Sequence, residues 1–242
     1  PIGLSLFGRR RGPMVGRENE RERLWNALLE VRHTGEARCV EIVGPRGIGK
    51  NRLAQWLTRT AGEAGLATSL RIGRASGASG EEGIMRALLE DIFRAFGLPA
   101  RPQPSRLMDW LDEFDKVDPE YDTPVLLDVL TSGENTHSSS RARVPRSQRI
   151  ASIRTLLASI SNSRPVVLHA YLPDNDVERH ALEDLVAPDQ QRTLPVLLLV
   201  TATPRPDGTP GLRSDAVPSQ RIDLEPLPPS DQITVIQNLL EV

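Results

Sequence analysis

The segment Gly44-Pro45-Arg46-Gly47-Ile48-Gly49-Lys50 constrains this chain more than any other part of it. Its glycines let the backbone curl so that successive N–H groups point at one centre. The apolar positions Leu53, Ala54, Trp56 and Leu57 that follow predict a helix, whose positive N-terminal end faces the same centre. Ahead of the loop, Cys39, Val40, Glu41, Ile42 and Val43 make a short β-rich run. Strand, glycine loop and helix, in that order, form a phosphate cradle, with Lys50 supplying a point charge to the terminal phosphates.

The cradle departs from the usual P-loop pattern at its last position. Asn51 stands where a Ser or Thr hydroxyl ordinarily ligates Mg²⁺. A carboxamide oxygen can ligate a hard cation, but it sits one bond further out, and magnesium demands near-ideal octahedral geometry. The expected nucleotide-binding set is therefore Gly44, Pro45, Arg46, Gly47, Ile48, Gly49, Lys50, Asn51 and Arg52, with Asn51 as a weakened Mg²⁺ ligand.

The remaining chain alternates strand and helix patterns. Leu24, Ala27, Leu28 and Val31 recur at helical spacing across 18–31, and 67–72 reads as a second strand before a helix near 84–96. Short helices are expected at 107–114 and 125–130, set apart by Pro119 and Pro124, and a longer one at 150–160. The apolar runs 166–170 and 196–200 suit strands buried on both faces of a parallel sheet, with a helical pattern over 177–186 between them. A last strand is expected at 221–224 and a helix at 230–240 with Ser230 as its N-cap. The fold class is α/β, a three-layer α/β/α P-loop fold with a mostly parallel sheet.

Residues 1–13, with Gly3, Gly8, Pro13 and the basic run Arg9, Arg10, Arg11, read as a linker. Residues 14–226 form the nucleotide-binding domain, within which 131–149 is expected to be an exposed loop carrying Arg141, Arg143, Arg146 and Arg149. Residues 227–242 would begin a helical lid or a following domain. A start at Pro1 and a stop at Val242 inside a helical pattern suggest a segment of a longer polypeptide.

Charge narrows the function classes. Lys plus Arg number 30 and Asp plus Glu 32, so the net charge of -2 gives no global field for nucleic acid or anionic membrane, and neither is expected as a direct partner. The lone Cys39 excludes an intrachain disulfide and fits a reducing, cytoplasmic setting. His33, His137, His169 and His180 lack a partner at zinc-ligand spacing, and His169 reads as a hydrogen-bonded core histidine. No G-x-S-x-G motif offers a covalent nucleophile.

On these residues the chain resembles the AAA-type and STAND-type regulatory ATPase domains of bacterial signalling proteins, including those behind serine/threonine kinase domains. The resemblance is carried by the opening motif Met14-Val15-Gly16-Arg17-Glu18, the P-loop, the strand after Arg164-Pro165, the strand ending Thr201-Ala202-Thr203-Pro204-Arg205, and the closing stretch from Arg221 through Leu224 to Pro228. It implies a base-proximal role for Val15, Gly16 and Arg17, and a γ-phosphate sensor among Thr201, Thr203 and Arg205. It also implies acidic residues at the tip of the strand that begins at Pro165, where this sequence has His169, Ala170, Tyr171 and Leu172; Asp174 and Asp176 follow as the candidate catalytic carboxylates.

The resemblance therefore implies an ATP- or ADP-binding regulatory domain with weakened Mg²⁺ dependence and weak or lost hydrolysis. Its partners would be other domains of the same polypeptide, a kinase or effector among them, with self-association as a further option. Two alternatives stay open: an active ATPase using Asp174 or Asp176, and an interaction scaffold that binds no nucleotide.

Overall fold

The computed structural model describes residues 14–73, 80–131, 144–171, 176–187, 194–204 and 217–240. Five strands, β1 (Arg38–Val43), β2 (Thr68–Ile72), β3 (Val166–Tyr171), β4 (Val196–Ala202) and β5 (Ser219–Asp223), form one sheet in the spatial order β2-β3-β4-β1-β5. Every neighbouring pair is parallel. This is the mostly parallel α/β sheet that the alternating pattern predicts.

Two helical layers cover the sheet, and the period-2 alternation of the strands decides which residue faces which layer. Val40, Ile42, Val167, Leu197 and Leu199 pack under α1 (Glu18–Thr34) and α2 (Lys50–Glu63), meeting Leu24, Leu28, Leu53 and Leu57. Cys39, Leu70, Leu168, Leu198 and Val200 face the other way, toward α3 (Gly80–Ala95), α4 (Pro104–Leu111), α5 (Pro119–Thr131), α6 (Arg146–Ile160) and α7 (Asp176–Val186). Coverage on both sides is why β4 is buried along its whole length and reads as one apolar run. Helix α8 (Pro229–Leu240) follows β5.

Several elements differ from the sequence expectation for identifiable reasons. Helix α5 begins at Pro119 and runs through Pro124, because Asp118 Oδ1 accepts from the N–H groups of Glu120 (3.1 Å) and Tyr121 (3.2 Å) while Asp122 Oδ2 accepts from Asp118 N–H (3.0 Å). Those caps start the helix early enough for the exposed Pro124 to be carried within it. Helix α8 starts with Pro229, whose fixed φ suits a first helical position, so Ser230 lies inside the helix and is not its cap.

Of the expected exposed loop over 131–149, Thr131 belongs to α5 and Arg146 through Arg149 belong to α6, while 132–143 lie outside the described residues. Arg141 and Arg143 lie outside the described residues. Arg146 pairs with Glu81 (2.5 Å) and Asp184 (2.8 Å), and the buried Arg149 reaches Glu82 at 3.4 Å. These two arginines therefore tie α6 to α3 and α7 and do not line a solvated loop.

One ion pair is enclosed by the apolar core. Arg179 on α7 is 1% exposed and its Nη1 lies 3.4 Å from Oε1 of Glu41, itself 4% exposed on β1. Removing one member strands the other charge in low dielectric, whereas replacing both removes the desolvation cost as well. Arg179→Ala is expected to cost about 3–5 kcal/mol in urea unfolding. The double change Glu41→Leu with Arg179→Met should recover most of that loss; a double variant as unstable as the single would show that the pair is not the source.

Candidate nucleotide site

The loop leaves β1 between β4 and β5, at the carboxyl edge of the sheet, where open α/β sheets bind ligands. The Gly44 N–H donates to the Ala202 carbonyl of β4 (3.3 Å), and Leu224 N–H donates to Val43 O (2.7 Å), so both neighbouring strands hold the start of the turn. Gly47 and Gly49 then take φ of 81° and 103°, values that L side chains rarely adopt, with open space where each Cβ would stand. The turn is thus curled around an accessible face, and α2 begins at Lys50, so the positive end of the helix points toward that face. Lys50 Nζ donates to the carbonyls of Gly44 (2.6 Å) and Pro45 (2.7 Å), which folds the ammonium over the loop it serves. Of the remaining loop residues, Pro45, Arg46 and Arg52 are exposed and Ile48 packs on the core beneath α2.

Asn51 is not free to turn toward a cation unhindered. The hydroxyl of the buried Thr201 donates to its Oδ1 at 2.9 Å, joining the Mg²⁺-ligand position to the tip of β4. Ile42 of β1 is the register partner of Thr201 on one side, and Tyr171 of β3 is its partner on the other. A half-exposed phenol therefore stands at the strand tip where the resemblance implies a carboxylate.

The AAA ATPase domain family matches residues 13–200. The chain belongs to that family. None of the curated proteins matches it. Among solved structures it is similar to Drosophila ORC bound to poly(dA/dT) DNA and Cdc6, at 12% identity with a TM-score of 0.48, over 92% of this chain and 30% of that one. The chain thus spans about a third of the length of that relative. No helix among the described residues is long and apolar enough to cross a membrane.

In this AAA ATPase domain the opening motif clamps the cradle. Arg17 adopts φ 69° at the N-terminus of α1, and its guanidinium donates to Glu20 Oε1 (2.9 Å), to the Ile48 carbonyl of the P-loop (3.5 Å) and to the Glu225 carbonyl beyond β5 (2.5 Å). Arg17 thereby fastens three segments distant in sequence, a role its place in the motif did not reveal. Gly16 sits at φ 65°, and a Cβ there would lie 2.5 Å from Asp231 Oδ2 of α8. Val15 is half-buried beside them.

The sensor and carboxylate candidates are distributed less tightly. Thr201 reaches Asn51, while Thr203 lies one residue past the end of β4. Asp176 is exposed at the first position of α7. Asp174 and Arg205 lie outside the described residues.

His169 corrects one expectation. It is buried in β3, 3% exposed, but neither ring nitrogen has a hydrogen-bond partner among the described residues. Its register partner is Arg71 of β2, a group with donors only, which cannot satisfy an imidazole N–H. Burial, reinforced by the Arg71 charge, pulls the His169 pKa down from 6.5 to about 4.

Two outcomes are expected. Between about pH 6.5 and 4 the unfolded chain binds a proton at this position that the folded chain refuses, so stability falls as pH drops through that window and is insensitive to this group above it. The difference in urea stability between pH 7 and pH 4, up to about 3 kcal/mol for this group, should shrink in His169→Phe. Separately, Gly16→Ala is expected to cost about 1–2 kcal/mol from its positive φ alone, with a further loss from the Asp231 contact. A loss no larger than the φ cost would show that α8 yields freely there, and a melting midpoint equal to that of the parent would overturn both.

Proposed function

We propose that this domain binds ATP or ADP as a regulatory switch within a larger signalling protein, and that it cleaves the nucleotide slowly or not at all. The observation that carries the reading is the Thr201–Asn51 bond beside a cradle of open geometry. The curled Gly44–Lys50 turn, the N-terminus of α2 and Lys50 fit a polyphosphate, and a phosphate oxygen would replace the loop carbonyls now accepting from Lys50. Asn51 fits Mg²⁺ less well, because its one oxygen already accepts from Thr201. Mg²⁺ held at Asn51 would help neutralise the charge that develops on the phosphoryl group. Here its protein ligand is a carboxamide, and β3 ends in Ala170 and Tyr171.

Binding and turnover are therefore separable in this chain. Affinity rests on amides and one ammonium, which need no metal, whereas in-line phosphoryl transfer depends on tight positioning of metal and water. A domain that retains the first and weakens the second signals by which nucleotide it holds. The setting supported by the lone buried Cys39 is a reducing, cytoplasmic one, with neighbouring domains of the same polypeptide as the readers.

Isothermal titration with ATP and with ADP, each with and without Mg²⁺, tests the reading. Saturable binding is expected, with affinity changing less than about ten-fold on adding Mg²⁺, and Lys50→Ala is expected to abolish it. Phosphate release should be slow in the parent and rise in Asn51→Thr. A flat titration under every condition would instead favour a scaffold that binds no nucleotide. Brisk release abolished by Asp174→Asn or Asp176→Asn would favour the active ATPase.

A further inference from the structure

A shallow groove of about 360 Å³ lies between α1 and α2 on their outer side, lined by Trp25 and Trp56 with Glu18, Arg21 and Glu22 beside them. The two half-buried indoles are 6.4 Å apart between ring centroids and tilted by 50°. Arg21 lays its guanidinium over the Trp56 ring, 4.5 Å from the centroid, so this surface already holds one cation by a ring face. Arg17 is taken by Glu20 and Arg21 by Trp56. The exposed Glu18 and Glu22 therefore form no ion pair among the described residues.

Helical spacing orders these groups into one stripe. Glu18, Glu22, Trp25 and Leu29 follow at i, i+4, i+7 and i+11 along α1, so the stripe is acidic at the start of the helix and apolar further on, where Leu29 is 40% exposed. A helix face left to solvent ordinarily carries polar residues. A cover that matches this face is basic against Glu18 and Glu22 and apolar against Trp25 and Leu29. The chain carries that pattern just ahead of α1: Leu4, Leu6 and Phe7 precede Arg9, Arg10 and Arg11, and only Gly12 and Pro13 separate these from Met14. Met14 packs on the same core cluster as Trp25 and Trp56, so the preceding residues leave from the groove's own side of the sheet. Traced back from Met14, the arginines come first and the apolar residues second, the order that the stripe requires. The reach is sufficient, since Glu18 to Trp25 is about 10 Å of helix and the chain from Met14 back to Phe7 can extend to about 23 Å.

We propose that residues 4–11 dock in this groove antiparallel to α1, with Arg9, Arg10 and Arg11 against Glu18 and Glu22, and with Leu6 and Phe7 against Trp25, Trp56 and Leu29. A short tether holds the segment at an effective concentration of about millimolar, so contacts too weak to retain a free peptide suffice. Docked there, it braces the helix whose Arg17 reaches the Ile48 carbonyl of the P-loop. The proposal does not depend on nucleotide binding, because none of its groups belongs to the cradle.

A nitroxide attached to Leu4→Cys in the full chain tests it, since the buried Cys39 is closed to the reagent. Indole N–H signals are read in ¹H–¹⁵N spectra and identified by their loss in Trp25→Phe and Trp56→Phe. The label is expected to broaden Trp25 and Trp56 and to leave Trp110 sharp, because Trp110 packs with Phe93 and Phe114 in the core cluster on the other face of the sheet. Glu18→Lys with Glu22→Lys should weaken the broadening about three-fold or more, and adding Arg9→Glu, Arg10→Glu and Arg11→Glu to the same chain should restore it. An unchanged Trp110 signal reports that each variant is folded. Broadening that is absent, that is equal in the Glu18→Lys, Glu22→Lys chain as an undocked tether would give, or that is not restored by the second set of changes overturns the proposal. Broadening that passes from spin-labelled chains to ¹⁵N-labelled chains mixed with them also overturns it, and assigns the groove to a second copy.

Discussion

The turn from β1 into α2 keeps its shape because both of its ends are anchored in buried structure. Upstream, β1 lies between β4 and β5, and main-chain bonds from Gly44 to Ala202 and from Leu224 to Val43 hold the last strand residues in place. Downstream, Leu53, Ala54 and Leu57 press α2 onto the sheet, each leucine contributing roughly 1.5–3 kcal/mol of burial. Between these anchors only glycines can take the left-handed conformations required, so the chain cannot relax the curl without breaking the packing on either side. Arg17 adds a third point of attachment by reaching the Ile48 and Glu225 carbonyls.

That rigidity has a chemical consequence at Asn51. A residue in the first turn of an anchored helix cannot swing far, so its side chain meets whatever the neighbouring strand tip presents. β4 presents Thr201, and the resulting hydrogen bond engages one lone pair of the Asn51 oxygen. The phosphate-binding part of the cradle is built from main chain and survives such changes. The position that holds a metal in the resemblance is a side chain, Asn51, whose contacts are set by the neighbouring strand.

Polar groups enclosed by the core mark where the fold departs from simple burial. The Glu41–Arg179 pair satisfies its charges only partly, since Nε and Nη2 of Arg179 lack hydrogen-bond partners among the described residues. His169 is left without any on β3. Glu41 of β1 and His169 of β3 lie on strands that run to the carboxyl edge of the sheet, where stability is commonly traded for a site. A core designed for stability alone would have placed apolar residues at these positions.

Local order was legible in the residues themselves. The five strands, the P-loop and most helices follow from period-2 and period-3.6 patterns and from glycine spacing, because those signals arise from contacts within a few residues. Helix ends were less legible where a cap overrode a proline, as at Asp118 and Pro124, or where distant acids drew Arg146 and Arg149 into a helix. The motif names the phosphate cradle, but the Thr201–Asn51 bond spans 150 positions and the Arg17–Glu225 bond spans 208. No local pattern encodes such pairs. Sequence alone thus determined that a phosphate-binding turn forms between a strand and a helix. Tertiary structure decided what stands around it, because the strand order and register, set by burial across the whole sheet, choose which side chains meet at its edge.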